Sequence, residues 1–196
     1  GYTEASLPYL FGPDLRLLHN PFLFRDMGKA VKRIHRAVEG QEQIHVFGDR
    51  DVDGITSTIL LHEVLRKRGA KVRWQIPVGQ DDYGLTMEVV ESAAAASCRL
   101  LITVDCGASN AAEVTRAAAL GMDTIVLDHH NPPATATAFP ETVSLINPKG
   151  DEPDYPFRDL AGSGGVAKVA PAPALPAPPL YGRPQRLLHA QPGDRP

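Results

Sequence analysis

Ile44-His-Val-Phe-Gly48 is followed by Asp49-Arg-Asp-Val-Asp-Gly54 and then by ITSTILLHEVLRKR over residues 55–68. The first run is short and nearly all apolar, which reads as a strand covered on both faces. The run from Ile55 to Arg68 reads as a helix with Ile59, Leu60, Val64 and Leu65 facing inward, closed by Gly69. An acidic turn joins the two. The same order recurs downstream, where a strand over Arg99–Val104 ends in Asp105. The helix after it spans Asn110–Leu120, opened by an Asn110-x-x-Glu113 capping pattern and closed by Gly121. A fourth strand, Asp123–Leu127, runs into Asp128-His129-His130, and Lys71–Ile76 and Val143–Ile146 supply two more. Further helices are expected over Met87–Ala96, capped by Thr86, and from an N-cap at Asp26 to a stop at Gly40. The latter carries Ala30, Val31, Ile34, Ala37 and Val38 as its apolar stripe. Strands alternating with helices at this spacing predict an α/β fold, a parallel doubly wound sheet of about five strands. Such sheets bind ligands outside the carboxyl ends of their strands, where all three acidic clusters fall.

A chain of 196 residues with 43% hydrophobic and 22% charged residues has the composition of an ordinary globular domain. A net charge of -3 announces no global basic field, although a carboxylate-rich site filled with cations reverses sign locally. Cys98 and Cys106 are too few for a disulfide framework, which points to a reducing cytoplasm. No apolar run approaches the roughly 18 residues that span a bilayer, so no membrane role is expected. No basic-then-apolar leader opens the chain, and its first residue is Gly, as in an internal piece of a longer polypeptide.

Asp49, Asp51 and Asp53 alternate, and in an extended segment all three share one face. Hard carboxylate oxygens suit Mg²⁺ or Mn²⁺, and added imidazole tilts the choice toward Mn²⁺. A solvated acidic turn or a calcium-type loop is the alternative. The EF-hand pattern fails, because Ile55 and Ser57 stand at later ligand positions and no Glu closes the loop. Asp105 taken alone is also what a helix cap looks like, but Asn110 already serves the next helix. Cys106 reads as a buried filler rather than a nucleophile. Asp128, His129 and His130 end a buried strand, a costly placement without a metal or a charged substrate. Two adjacent imidazoles point in different directions, so one can ligate while its neighbour donates to an anionic oxygen. Together these residues supply enough ligands for two divalent ions sharing a carboxylate, the arrangement that serves in-line displacement at phosphorus. Gly54, Thr56 and Ser57 open the first crossover helix, where amides can hold a substrate phosphate or simply cap the helix.

GDRDVDGITSTILL, LITVDCGASN, VLDHH and INPKG, in this order, resemble the DHH phosphoesterase superfamily, closest to its RecJ single-stranded-DNA-specific exonuclease branch. HNPFLFRDMGKAVKRIHRAV and YPFRDLAGSG resemble that branch as well, and the resemblance covers roughly residues 6–168. It implies a parallel α/β DHH domain facing a DHHA1 domain across a cleft, and Mn²⁺- or Mg²⁺-dependent 5′→3′ removal of nucleotides from single-stranded DNA in recombination and repair. It also implies that Asp51, Asp53, Asp105 and His129 are metal ligands, with Asp105 the bridge and Asp49 a ligand or supporting acid. Asp128 then orients the adjacent imidazole, and His130 contacts the scissile phosphate. Oligoribonucleotides or cyclic dinucleotides are the alternative substrates within the superfamily, and an inactive truncated remnant is the alternative from another class.

The chain departs from that pattern in three places. Arg50 replaces the commoner tyrosine of the first motif. Val78-Gly-Gln-Asp-Asp82 stands where many relatives carry an arginine for the DNA phosphate. AGSG should lead into an apolar helix and a strand with one more aspartate ligand. Instead, residues 169–196 hold eight of the eighteen prolines and show no period, so they are expected to be disordered or PPII-like. Either a natural linker or a reading frame lost near Gly164 or Gly165 accounts for them. The expected organisation is a loop segment over 1–25, an incomplete DHH domain over 26–168, a proline-rich tail over 169–196 and no DHHA1 domain.

Overall fold

The computed structural model describes residues 18–79, 84–133, 139–150 and 155–169. Most of the expected N-terminal loop, the tail from residue 170 and residues 80–82 of the Val78–Asp82 stretch lie outside them. After a single 3₁₀ turn at Pro21–Leu23, the order is α1 (Met27–Glu39), β1 (Gln43–Gly48), α2 (Val52–Lys67), β2 (Lys71–Gln75) and α3 (Met87–Ala95). Then follow β3 (Cys98–Val104), α4 (Ala111–Ala119), β4 (Asp123–Leu127), β5 (Val143–Ile146) and α5 (Gly162–Val169). The five strands form one parallel sheet in the order β2-β1-β3-β4-β5. The α/β class and all five expected strands are therefore present.

Side chains alternate between two cores, as the period of a strand requires. Ile44, Val46, Leu100, Ile102, Ile125 and Ile146 pack under α1, α2 and α5. Phe47, Leu101, Val126 and Val143 pack under α3 and α4 on the other face. Phe24 and Tyr155, from the two flanking segments, stack with ring centroids 3.8 Å apart and tie the entry of the domain to its exit. Such a pair contributes about 0.5–1.5 kcal/mol beyond the area it buries. Among the described residues no helix is long and apolar enough to cross a membrane.

The structure corrects the sequence reading at several helix ends. α2 begins at Val52, not Ile55, because Asp51 caps it by accepting from the Gly54 amide at 2.9 Å. Asp49, Asp51 and Asp53 thus do not share an extended face: they occupy a strand end, a cap and a first helical turn. The inward face of α2 is Thr58, Leu61 and Leu65, while Ile59 and Leu60 are 58% and 37% exposed. Close approach sets that phase, since a Cβ on Gly48 would lie 1.8 Å from Thr58 Oγ1. Asp26 is the N-cap of α1 as expected, its carbonyl accepting from the Ala30 amide, but its carboxylate accepts from the Leu145 amide of β5 at 3.0 Å and not from a helix amide. The Asn110 side chain likewise donates to the Leu85 carbonyl and to Glu113, so no reciprocal capping box forms. Thr86 does cap α3, through the Val89 amide. Gly40 ends α1 as expected, as its C-cap, and the left-handed residue that follows is Gln41.

His45 lies wholly inside the second face, both ring nitrogens without a partner. Burial, with the Arg73 charge beside it, lowers its pKa from 6.5 to about 4. The unfolded chain takes up this proton near 6.5, so the contribution to stability is complete above that pH and lost as pH falls toward 4. Thermal melts across that window should therefore show wild type losing more stability than a His45→Leu variant. Equal acid loss in the two proteins contradicts this.

Candidate metal centre

Strand register builds the site. Gly48 pairs with Val104, Val104 with Leu127, and Leu127 with Ile146. The next residue of each strand is therefore Asp49, Asp105, Asp128 or Asn147, side by side along one sheet edge. Backbone bonds hold that row level: Asp49 N to Val104 O, Asp105 N to Leu127 O and Asp128 N to Ile146 O, at 3.2, 2.8 and 3.1 Å.

Asp105 is the centre of the arrangement. Its backbone is left-handed, with φ 61°, an uncommon conformation for a residue with a side chain. The carboxylate is buried, and neither oxygen has a hydrogen-bond partner. His129 Nε2 stands 3.1 Å from Asp105 Oδ1 and 3.7 Å from Asp53 Oδ2. Even with that 3.1 Å contact, neither Asp105 oxygen takes part in a hydrogen bond. Two sets of ligand atoms, each within 4.8 Å of one another, meet here: Asp49, Asp51 and Asp105, and Asp105, His129 and His130. Asp105 belongs to both. Burial, and then the Asp53 and Asp51 carboxylates, push its pKa up to about 8. A buried carboxylate in that state is stable only with a proton or a cation against it. Hard oxygens on one side and imidazoles on the other suit Mn²⁺ or Mg²⁺.

Asp128 belongs to neither ligand set and organises its neighbours. One oxygen accepts from the His129 and His130 amides and meets His130 Nδ1 at 2.7 Å; the other accepts from Ala108 N at 2.8 Å. Burial opposes a charge on His130, but the Asp128 hydrogen bond and nearby carboxylates outweigh it and raise the pKa. Asn147, given no role by the sequence reading although it stands in the INPKG stretch, donates to the His130 carbonyl at 2.9 Å.

Asp53 joins the site from α2. Its two oxygens accept from the Gly162 and Ser163 amides, at 2.7 and 2.8 Å, which docks the start of α5 against the cluster. Burial works against the Asp53 charge, yet those hydrogen bonds and His129 leave its pKa lowered. Sequence reasoning missed α5, because its GSGG opening is a poor helix former and hides the period of Val166 and Val169. Gly162 is tightly placed: a Cβ there would lie 2.5 Å from Asp105 Oδ1.

Three expected phosphate contacts do not converge on the site. The Gly54 amide is used by Asp51, the Thr56 hydroxyl bonds back to the Val52 and Asp53 carbonyls, and Ser57 is buried. Gly54 lies in the first turn with its amide committed to the cap, and the early start of α2 places Thr56 and Ser57 further along the helix. Cys106 is buried, and burial together with the nearby Asp128, Asp49 and Asp105 raises its pKa well above the usual thiol range, which agrees with a packing role.

A profile of the DHH family, N-terminal domain, matches residues 43–179. The single-stranded-DNA-specific exonuclease RecJ of Bacillus subtilis is 36% identical over 171 residues, covering 87% of this chain and 21% of the relative. Its counterpart in Escherichia coli is 39% identical over 138 residues, covering 69% of this chain and 23% of that protein. The crystal structure of RecJ in complex with Mn²⁺ from Thermus thermophilus superposes with a TM-score of 0.68 at 29% identity, covering 89% of this chain and 26% of that one. The chain thus spans about a fifth to a quarter of the length of the proteins it is similar to.

Proposed function

This chain belongs to the DHH family, and on that premise we propose that it carries the metal-binding half of a 5′→3′ exonuclease acting on single-stranded DNA in recombination and repair. The observation that carries the reading is the buried, unpartnered Asp105 carboxylate shared by two ligand sets. Manganese in the related Thermus thermophilus structure supports Mn²⁺ or Mg²⁺ as the ions. In this reading Asp49, Asp51, Asp53, Asp105 and His129 hold the metal pair. When bound, divalent ions supply water activation and charge stabilisation for in-line displacement at phosphorus. Asp128 fixes the His130 ring, leaving its other nitrogen to donate to a non-bridging phosphate oxygen. His129 faces Asp105 and Asp53, with Nε2 3.1 Å and 3.7 Å from their nearest carboxylate oxygens. Asn147 keeps the His130 backbone in register.

The full polypeptide in this reading adds a DHHA1 domain across a cleft and works in the cytoplasm. Residues 26–168 are the DHH domain core, to which α5 adds Val169, and the segments over 1–25 and 169–196 flank it. Incubating the chain with Mn²⁺ and a long single strand, a duplex or a dinucleotide tests the substrate. Preferential loss of the long strand supports the reading, whereas cleavage of the dinucleotide alone favours the small-substrate branch of the family. A chain that binds no Mn²⁺ and cleaves nothing is an inert remnant. His130→Ala should leave Mn²⁺ affinity within about threefold and lower turnover about a hundredfold. Loss of Mn²⁺ binding in that variant reassigns His130 as a ligand.

A further inference from the structure

Far from the acidic row, α1 and the starts of β4 and β5 enclose an open cleft of about 640 Å³, lined by Lys29, Lys32, Arg33, Arg36, Asp123 and Ser144, among others. The four cations recur at helical spacing, so they share one face and extend over two turns, about 10 Å. Their charges are not matched. Arg33 and Arg36 share the Asp123 carboxylate, and Arg33 also reaches Glu42. Lys29 donates to the Glu141 and Val143 carbonyls, which uses two of its three hydrogens and leaves its charge. Lys32 is exposed and makes no ion pair among the described residues. Four cations therefore face two carboxylates. Ion pairs with Asp123 and Glu42 fix the Arg33 guanidinium beside the cleft, its side chain 10% exposed. A cation row of this length with unbalanced charge accommodates more than one anionic oxygen.

We propose that this cleft is a second seat for nucleic-acid backbone phosphates, holding a stretch of single strand away from the metal centre. The inference rests on the reading of single-stranded DNA as substrate. Asp123 opens β4 and Asp128 follows its end, five residues on, so cleft and centre lie about 16 Å apart along the sheet. A dinucleotide at the centre does not reach the cleft, but a longer strand does. The seat therefore acts on length preference and affinity, without touching the reacting atoms.

The test uses fluorescence anisotropy of a labelled long oligothymidylate with the whole chain, in the absence of divalent metal. Lys32→Glu should weaken binding about threefold to tenfold and flatten the dependence of log affinity on log salt by about 0.7 for each phosphate no longer neutralised. Lys32→Arg should restore both. Unchanged affinity and slope in Lys32→Glu, or no binding by wild type, overturns the seat. Displacement of the strand by inorganic pyrophosphate at equal phosphate concentration also overturns it, in favour of a small-phosphate site. The two readings fail separately. Metal-dependent hydrolysis with no Lys32 effect sinks only the seat, and Lys32-dependent binding by a chain that cleaves nothing sinks only the nuclease.

Discussion

Replacing Asp105 with asparagine should remove Mn²⁺ binding, and with it the proposed phosphodiester hydrolysis, while making the metal-free fold more stable. Both effects have one cause. The carboxylate is buried, without a hydrogen-bond partner, beside Asp51 and Asp53, so it serves a cation and burdens the empty fold. Its folded pKa of about 8 lies above the ordinary 3.8. The folded state thus holds a proton that the unfolded state releases, and stability present below 3.8 drains away as pH rises toward 8. Asparagine carries no charge and can donate to the neighbouring carboxylates. Relief of an unsatisfied buried group amounts to about 1–3 kcal/mol, and in a chain of this size each kcal/mol moves Tm by about 2–4 °C. Thermal melts with and without Mn²⁺ separate the effects: the variant should melt higher when metal-free and show no shift on adding the ion. A variant that melts lower, or still responds to Mn²⁺, refutes the central role of Asp105.

Gly162→Ala should lower Mn²⁺ affinity about 10–100-fold although residue 162 offers no ligand atom from its side chain. Its Cβ would press on Asp105 Oδ1 at 2.5 Å and on Asp53 Oδ2 at 3.1 Å. Relief requires either that the carboxylates turn or that α5 lifts from α2, which breaks the bonds from the Gly162 and Ser163 amides to Asp53. Both routes displace ligand oxygens. Gly165 has open space around it, so Gly165→Ala controls for the change in glycine content of the helix and should bind Mn²⁺ like wild type. Equal affinity in all three proteins would show that α5 does not support the centre.

The sheet and its acidic edge were legible in the sequence because strands buried on both faces are continuous apolar runs, and each ended in a residue with no apolar reason to be there. β4 and β5 match their expected bounds, and the clusters at Asp49, Asp105 and Asp128 fall in one row. What failed depended on contacts between elements. The phase of α2 follows from Thr58 lying against Gly48, which no periodicity of Ile59 and Leu60 reveals. Asp26 and Asn110 look like caps locally, but their side chains serve a neighbouring strand and a distant carbonyl. α5 forms because Asp53 anchors its amides and Val166 and Val169 bury, gains that outweigh its glycines and appear only in the folded chain.

Electron paramagnetic resonance of the wild-type chain titrated with Mn²⁺ tests the shared carboxylate most directly. Ions bridged by Asp105 at about 3.5–4 Å should give an exchange-coupled signal that saturates at two Mn²⁺ per chain. An uncoupled six-line spectrum at every ratio, or no bound Mn²⁺, would contradict the account.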